Sequence, residues 1–260
     1  MAGTDRCDEI DAARGVAILM MILFHTLFDL SFFQIYPVNV ATGFWRYFAF
    51  ATASLFLFIV GISLTISHAR EEERLAGDPE RQFRIVLKYL KRGSWIFACG
   101  LLVTLATWLY LGEGFVIFGI LHLIGVSTIL SLFFFRFRTY NILIGATCIG
   151  TGIFLVAANV TGPIWLLWLG IPPVPFISVD YTPLLPWFGI VLIGMGAGEQ
   201  WYPKGRRSFP VPRFPAFVSA LLALPGRHSL VLYLVHQPVI LILLQLITGA
   251  LLPGYLTLYT

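Results

Sequence analysis

Apolar residues in this chain fall into long unbroken blocks separated by short polar ones. Seven blocks approach the length of a membrane span: Gly15–Phe33, Phe44–Ser67, Gly93–Leu111, Phe118–Phe135, Tyr140–Val160, Leu184–Gly198 and Ser229–Leu252. None alternates with period two, so the pattern predicts helices rather than the strands of a barrel. The sixth block is short for a span and borrows the preceding Tyr181–Pro183. Two connections carry patterns of their own. Between Arg81 and Arg92, residues Phe83, Val86, Leu87 and Leu90 share one helical face, with Arg84, Lys88 and Lys91 elsewhere. That predicts a separate amphipathic helix lying on the inner leaflet. The stretch Pro163–Pro175 is apolar but too short to cross, and predicts an interfacial or re-entrant cap on the outer face. Pro203–Pro215 is rich in Pro and Arg, and Phe217–Leu224 is apolar, short and expected to lie on the membrane.

Composition narrows the class. Hydrophobic residues make up 58% of the 260 and charged residues only 12%, against roughly 25% charged in a soluble domain. Mean hydropathy is +0.85. Such a chain cannot clothe a water-facing surface. The expected fold is all-α: one polytopic membrane bundle over residues 1–260, a multi-pass protein of the cell membrane surrounded by lipid. Three cysteines give no disulfide framework, and no Cys/His cluster predicts a metal site. The acidic first residues and the lack of a small-residue cleavage site argue against a cleavable signal peptide.

Basic residues set the orientation. With the N-terminus inside, Arg6, Arg14, Arg70, Arg74, Arg81, Arg84, Lys88, Lys91, Arg92, Arg136, Arg138, Lys204, Arg206, Arg207, Arg213 and Arg227 all fall on inner segments, and Arg46 alone falls outside. Positive charge collects on the cytoplasmic side, so the expectation is N-terminus in, C-terminus out and an odd number of spans. The same distribution explains the basic pI without a nucleic-acid partner.

Ionisable groups inside spans are costly and are functional candidates. His25 and Asp29 lie four residues apart on one face of the first span. A rise of about 1.5 Å per residue puts them roughly 15 and 21 Å from its inner end. His122 enters from the outer end of the fourth span. His236 lies roughly 11 Å into the seventh, followed by Pro238, which breaks the helical ladder. Here Asp29 is expected to fix the tautomer of His25 and raise its basicity. His68 and His228, at inner helix ends, suit solvated or capping roles. Arg46, within Phe-Trp-Arg-Tyr-Phe, suits an outer-interface anchor with cation–π contacts, or a hold on an anionic acceptor. Gly194-Met-Gly-Ala-Gly198 reads as close helix packing.

Four segments are more specific. They are Asp11-Ala-Ala-Arg14-Gly15 running on to His25-Thr-Leu-Phe-Asp29; Gly119-Ile-Leu-His122-Leu-Ile-Gly125; Asp180-Tyr-Thr-Pro183-Leu-Leu-Pro186-Trp187-Phe-Gly189; and Gly226-Arg227-His228-Ser229-Leu-Val-Leu-Tyr233-Leu-Val-His236-Gln237-Pro238. In this order they resemble small prokaryotic relatives of heparan-α-glucosaminide N-acetyltransferase, a family of transmembrane acyltransferases. The resemblance covers nearly the whole chain. It implies an enzyme that takes an acyl group, acetyl in the family, from cytoplasmic acyl-CoA and delivers it to a hydroxyl or amine of a sugar or lipid on the other side. The eukaryotic branch has Asn at the place of His25, and its acetyl-accepting histidine lies in the outer loop after the first span. Here that loop, Gln34–Gly43, holds no histidine.

For such a reaction the expected catalytic groups are His25 as base with Asp29, and His122 and His236 polarising the thioester or relaying protons. Cations for the phosphates of coenzyme A come from Arg14, Arg92, Lys204, Arg206, Arg207 and Arg227. Arg46, Asp180 and Trp187 are candidate acceptor contacts. Two other classes use the same residues. A transporter or proton-coupled channel would use the His/Asp column as a proton path; no internal repeat supports it, and acyl-CoA consumption separates the two. A retinal protein needs a lysine in the membrane region, which has none, and a bis-histidine haem needs a facing pair where these histidines look scattered. No metal, haem or retinal is therefore expected. A homo-oligomer is compatible with the sequence.

Overall fold

In the computed structural model, residues 7–210 and 216–249 are described, with backbone alone for 216–220. Arg6, Arg213 and the end of the seventh predicted span (250–252) lie outside the described residues. Eight α-helices occur among them: α1 (Asp8–Phe32), α2 (Gly43–Arg74), α3 (Arg81–Leu111), α4 (Ile120–Phe134), α5 (Asn141–Ala157), α6 (Leu184–Trp201), α7 (Ala216–Arg227) and α8 (Ser229–Thr248). The described residues contain no strand, only an isolated bridge between Phe118 and Tyr181. The fold is all-helical.

Five helical stretches are long and apolar enough to cross a membrane: Asp8–Phe32, Gly43–Arg74, Arg81–Leu111, Ile120–Ala157 and Ser229–Thr248. The fourth is not one straight rod. It contains α4, a 3-10 turn over Phe135–Tyr140 and α5, and Arg138 leaves helical geometry there with φ 45° and ψ −123°. The apolar block Leu184–Gly198 forms the 18-residue α6, which is not among the five.

Three connections take a definite form. The amphipathic segment Arg81–Arg92 is not a separate interfacial helix. It continues without a break into the third apolar block as the 31-residue α3, roughly 46 Å long at 1.5 Å per residue. Nothing between them stops a helix: Gly93, the one weak point, is buried against Gly125 of α4. The segment from Phe217 to Leu224 is part of α7, and α7 packs along α1. The connection Pro163–Pro175 holds a short 3-10 helix, Ile164–Leu169, with Leu167 buried and Trp165 and Trp168 exposed.

Contacts group the chain into two compact units: Met1–Phe56 with Val211–Thr260, and Leu57–Pro210. In the first, α1 packs on α7 and α8. Acidic Asp8, Glu9 and Asp11 open α1, where negative charge complements the helix dipole. Gly15 and Gly226 let backbones meet: a Cβ on Gly15 would lie 1.8 Å from the Leu222 carbonyl oxygen, and one on Gly226 would lie 1.8 Å from that of Asp11. Ile240 and Leu244 of α8 are buried among Ile22, Leu30 and Phe33.

The second unit uses the same device. In it, α3 packs on α4 through Gly93 and Gly125, and α5 on α6 through Gly145 and Gly189. The glycines of Gly194-Met195-Gly196-Ala197-Gly198 serve two neighbours. Gly194 and Gly198 approach Phe58, Ile62 and Thr65 on α2, and Gly196 approaches Ile142 on α5. Small residues permit such contact where no hydrophobic drive between helices exists.

Candidate active site

In the first unit, α1 and α8 present polar residues to each other from apolar surroundings. Each helix supplies two. His25 Nδ1 lies 2.7 Å from His236 Nε2, with the rings stacked at 4.9 Å between centroids. One turn along α1, both carboxylate oxygens of Asp29 lie 2.8 Å from Gln237 Nε2. Consecutive residues of α8 therefore read positions four apart on α1. His236 is also tied to its own helix, with Nδ1 2.7 Å from the Tyr233 carbonyl oxygen and 3.2 Å from that of Leu232. Asp29 is 2% exposed and His236 8%, while His25 is half-buried. Phe24 and Tyr233 flank the histidine pair.

This geometry alters two expectations. Two of the histidines do not scatter: His25 and His236 meet. A nitrogen separation of 2.7 Å is a direct hydrogen bond and leaves no room for an iron, since metal–imidazole bonds are about 2 Å each. The side chain bonded to His25 is His236 rather than Asp29, whose carboxylate is held by Gln237. Sequence reading passed over Gln237 although it stands inside an apolar span beside His236, which was the available signal.

At the start of α1, Arg14 Nη1 lies 3.2 Å from Asp11 Oδ1 and 3.5 Å from the Gly226 carbonyl oxygen. Arg227 Nη2 lies 2.9 Å from Asp8 Oδ1, and its Nε 3.5 Å from Asp11 Oδ2. Both guanidiniums thus join the α1–α7 contact, Arg227 through ion pairs and Arg14 through the Gly226 carbonyl.

A family profile described as heparan-alpha-glucosaminide N-acetyltransferase, catalytic, matches residues 6–238. The chain belongs to this family. The match takes in the described parts of α1 to α7 and α8 as far as Pro238, so it contains the whole polar quartet. A membrane acyltransferase follows from the family, and acetyl-CoA is consistent with it as donor. Comparison with curated proteins and with solved structures finds no match.

The remaining candidates of this acetyltransferase-family chain are distributed as follows. His122, 1% exposed, is built into the start of α4 in the second unit. The Gly119 N–H donates to its Nδ1 at 3.3 Å, and Nε2 lies 3.5 Å from Thr104 Oγ1. Phe97 stands edge-on to its ring. Asp180 reaches the same helix end, where Oδ2 accepts from the Ile120 N–H at 3.2 Å. Burial pushes the Asp180 carboxyl up to about 6, against that hydrogen bond. His122 and Asp180 therefore both close the first turn of α4. Trp187 is half-buried on α6, and Arg92 is exposed on α3. Arg46 is exposed, donates to the Ala41 carbonyl at 3.2 Å and stands 5.4 Å over the Phe50 ring.

Around the end of α2, Lys88 Nζ lies 2.8 Å from Glu71 Oε2, Arg74 also bonds Glu71, and Arg81 bonds Glu72. Arg206 Nη2 lies 2.9 Å from Glu73 Oε1, both exposed. Arg207 is exposed beside it.

Proposed function

We propose that the chain acts as one acyl-CoA-dependent transferase. It moves an acetyl group from cytoplasmic acetyl-CoA to a hydroxyl or amine of a sugar or lipid at the outer side of the cell membrane. In this reading seven segments cross, with α4, α5 and α6 completing the set, N-terminus in and C-terminus out. The turn at Arg138 and the distribution of basic residues support it. A C-terminal reporter active only in the cytoplasm would count against this topology.

The observation that carries the reaction is the His25–His236 pair between two apolar helices. Acyl transfer to a hydroxyl or amine needs a group to take its proton as it attacks the thioester carbon. His25 is that base. The new bond forms between acceptor and acyl carbon and the C–S bond breaks. The proton held by His25 then goes to the leaving thiolate, so free coenzyme A and the acylated acceptor result. With no histidine in the loop Gln34–Gly43, transfer is direct. Arg92, Lys204, Arg206 and Arg207 attract the donor's phosphates, Arg14 and Arg227 are further candidates on inner segments, and Arg46, Asp180 and Trp187 serve the acceptor side.

The test is turnover of acetyl-CoA by purified protein in detergent or nanodiscs, with an acceptor panel of amino sugars and polar lipids. His25→Ala should lower turnover by on the order of 10²–10⁴-fold while acetyl-CoA binding and melting temperature stay near wild type. Wild-type specific activity in a folded His25→Ala variant would remove His25 from the reaction.

A further inference from the structure

We infer that His236 is a positioning residue whose backbone tie leaves His25 Nε2 as the one nitrogen of the pair with a lone pair outside the His25–His236 bond. The geometry of α8 forces the assignment. A carbonyl oxygen only accepts, and His236 Nδ1 lies 2.7 Å from that of Tyr233 and 3.2 Å from that of Leu232. Nδ1 therefore carries a proton. A neutral imidazole has one N–H and one lone pair, so His236 Nε2 is an acceptor. It faces His25 Nδ1 at 2.7 Å. Two lone pairs would repel at that distance, so His25 Nδ1–H is the donor. His25 Nε2 is then left with its lone pair.

The sequence of bonds has a direction. The Tyr233 carbonyl accepts from His236, His236 accepts from His25, and His25 accepts a proton from outside the pair. Once His25 Nε2 is protonated, the bond to His236 becomes charge-assisted and stronger. Positive charge then spreads onto a second ring whose outer N–H is already held by a carbonyl dipole. In Ser–His–Asp sites a buried carboxylate orients the histidine and stabilises its charged form. Here a neutral imidazole does so, which spares the low-dielectric interior an ion facing the base. The nearby carboxylate, Asp29, is held through both oxygens by Gln237. Other charged groups on the elements packed against α1 stand far along the helix. Arg227 of α7 pairs with Asp8 and Asp11, and Asp11 lies roughly 21 Å of helical rise from His25. His228, between α7 and α8, is exposed. Nothing charged on these elements competes for His25 Nδ1.

The kinetic part of this inference rests on the acyl-transfer reading, and the structural part does not. Selectively ¹⁵N-histidine-labelled full-length protein in nanodiscs, with resonances assigned through His25→Asn and His236→Asn, reports each tautomer directly. Both residues should show Nδ1 protonated and Nε2 bare. An Nε2-protonated His25 overturns the inference whether or not the protein turns over. Kinetics supply the second arm. His236→Leu should lower kcat by on the order of 10²-fold with KM for acetyl-CoA changed by less than about threefold. His236→Gln keeps an oxygen able to accept from His25 Nδ1–H and should recover at least about tenfold over His236→Leu at equal melting temperature. Equal kcat in the two folded variants overturns the positioning role. Absence of turnover in wild type would sink the acyl-transfer reading and leave the tautomers to decide the inference.

Discussion

Gln237 Nε2 donates to both carboxylate oxygens of Asp29 at 2.8 Å, while Gln237 Oε1 is buried without a hydrogen-bond partner among the described residues. An amide facing a carboxylate satisfies one of its own ends. An amide facing an amide can satisfy both. Asp29→Asn lets Oδ1 accept from Gln237 Nε2 while the new amide nitrogen donates to Gln237 Oε1, and it removes a buried charge. It should hold or raise the melting temperature in detergent. Gln237→Leu leaves the carboxylate without its donor and should cost about 1–3 kcal/mol, read as a lower unfolding midpoint. Equal losses from both would remove this pairing as a source of stability.

The α1–α7 crossing gives a sharper stability test. Gly226→Ala puts a Cβ 1.8 Å from the Asp11 carbonyl oxygen, where backbone rather than a movable side chain must give. Overpacking of this kind costs about 1–3 kcal/mol and occasionally more. Gly150 of α5 is the control, because a Cβ there meets nothing within 4 Å. Gly150→Ala should leave the midpoint unchanged or raise it, since Gly in a helix interior costs about 0.5–1 kcal/mol relative to Ala. A Gly226→Ala variant as stable as wild type would mean the helices cross elsewhere.

Much of this framework was legible in the chain, for a physical reason. Hydropathy alone marks α1, α2, α4, α5, α6 and α8 to within a few residues at most ends, because a bilayer demands contiguous apolar length. Charge pattern misled at α3. A cationic face next to an apolar block resembles two helices, yet a backbone continues through a change of solvent when no residue breaks it. The His25–His236 contact was hidden for another reason. The two residues are 211 positions apart, and their depths, read from separate helix ends, looked unequal. Boundary errors of a few residues and a tilt of about 20° absorb that difference. Gln237 escaped because an uncharged amide gives no electrostatic signal until its partner is known.

Asp180 should impose a pH dependence on stability. Its folded-state carboxyl titrates near 6, raised by burial, whereas an unfolded Asp titrates near about 3.9. The folded state thus binds the proton more tightly. Its contribution to stability is full below about pH 4 and is lost as pH rises through about 6. The melting temperature should fall across that window and level off above it. Asp180→Asn, which keeps an oxygen for the Ile120 N–H, should flatten this step. An unchanged step in Asp180→Asn would assign it to another group.

The donor's phosphates would meet cations of two kinds. Arg14 and Arg227 are paired with Asp8 and Asp11, so phosphate binding there would have to compete with carboxylates already in place. Arg206 pairs with exposed Glu73 at 2.9 Å, and an exposed pair of this kind is worth about 0–1 kcal/mol. A polyanion can therefore displace Glu73 at little cost. If Arg206 and Arg207 attract acetyl-CoA, Arg206→Gln with Arg207→Gln should weaken binding several-fold in low salt. The effect should shrink in high salt, because exposed charges are screened over a Debye length of about 8–10 Å near physiological ionic strength. Glu73→Gln should do the opposite, tightening binding by removing the competing carboxylate. Calorimetric titration of acetyl-CoA at two salt concentrations reads both. Affinity unchanged in the double variant and in Glu73→Gln would remove the donor's phosphates as a ligand of these arginines.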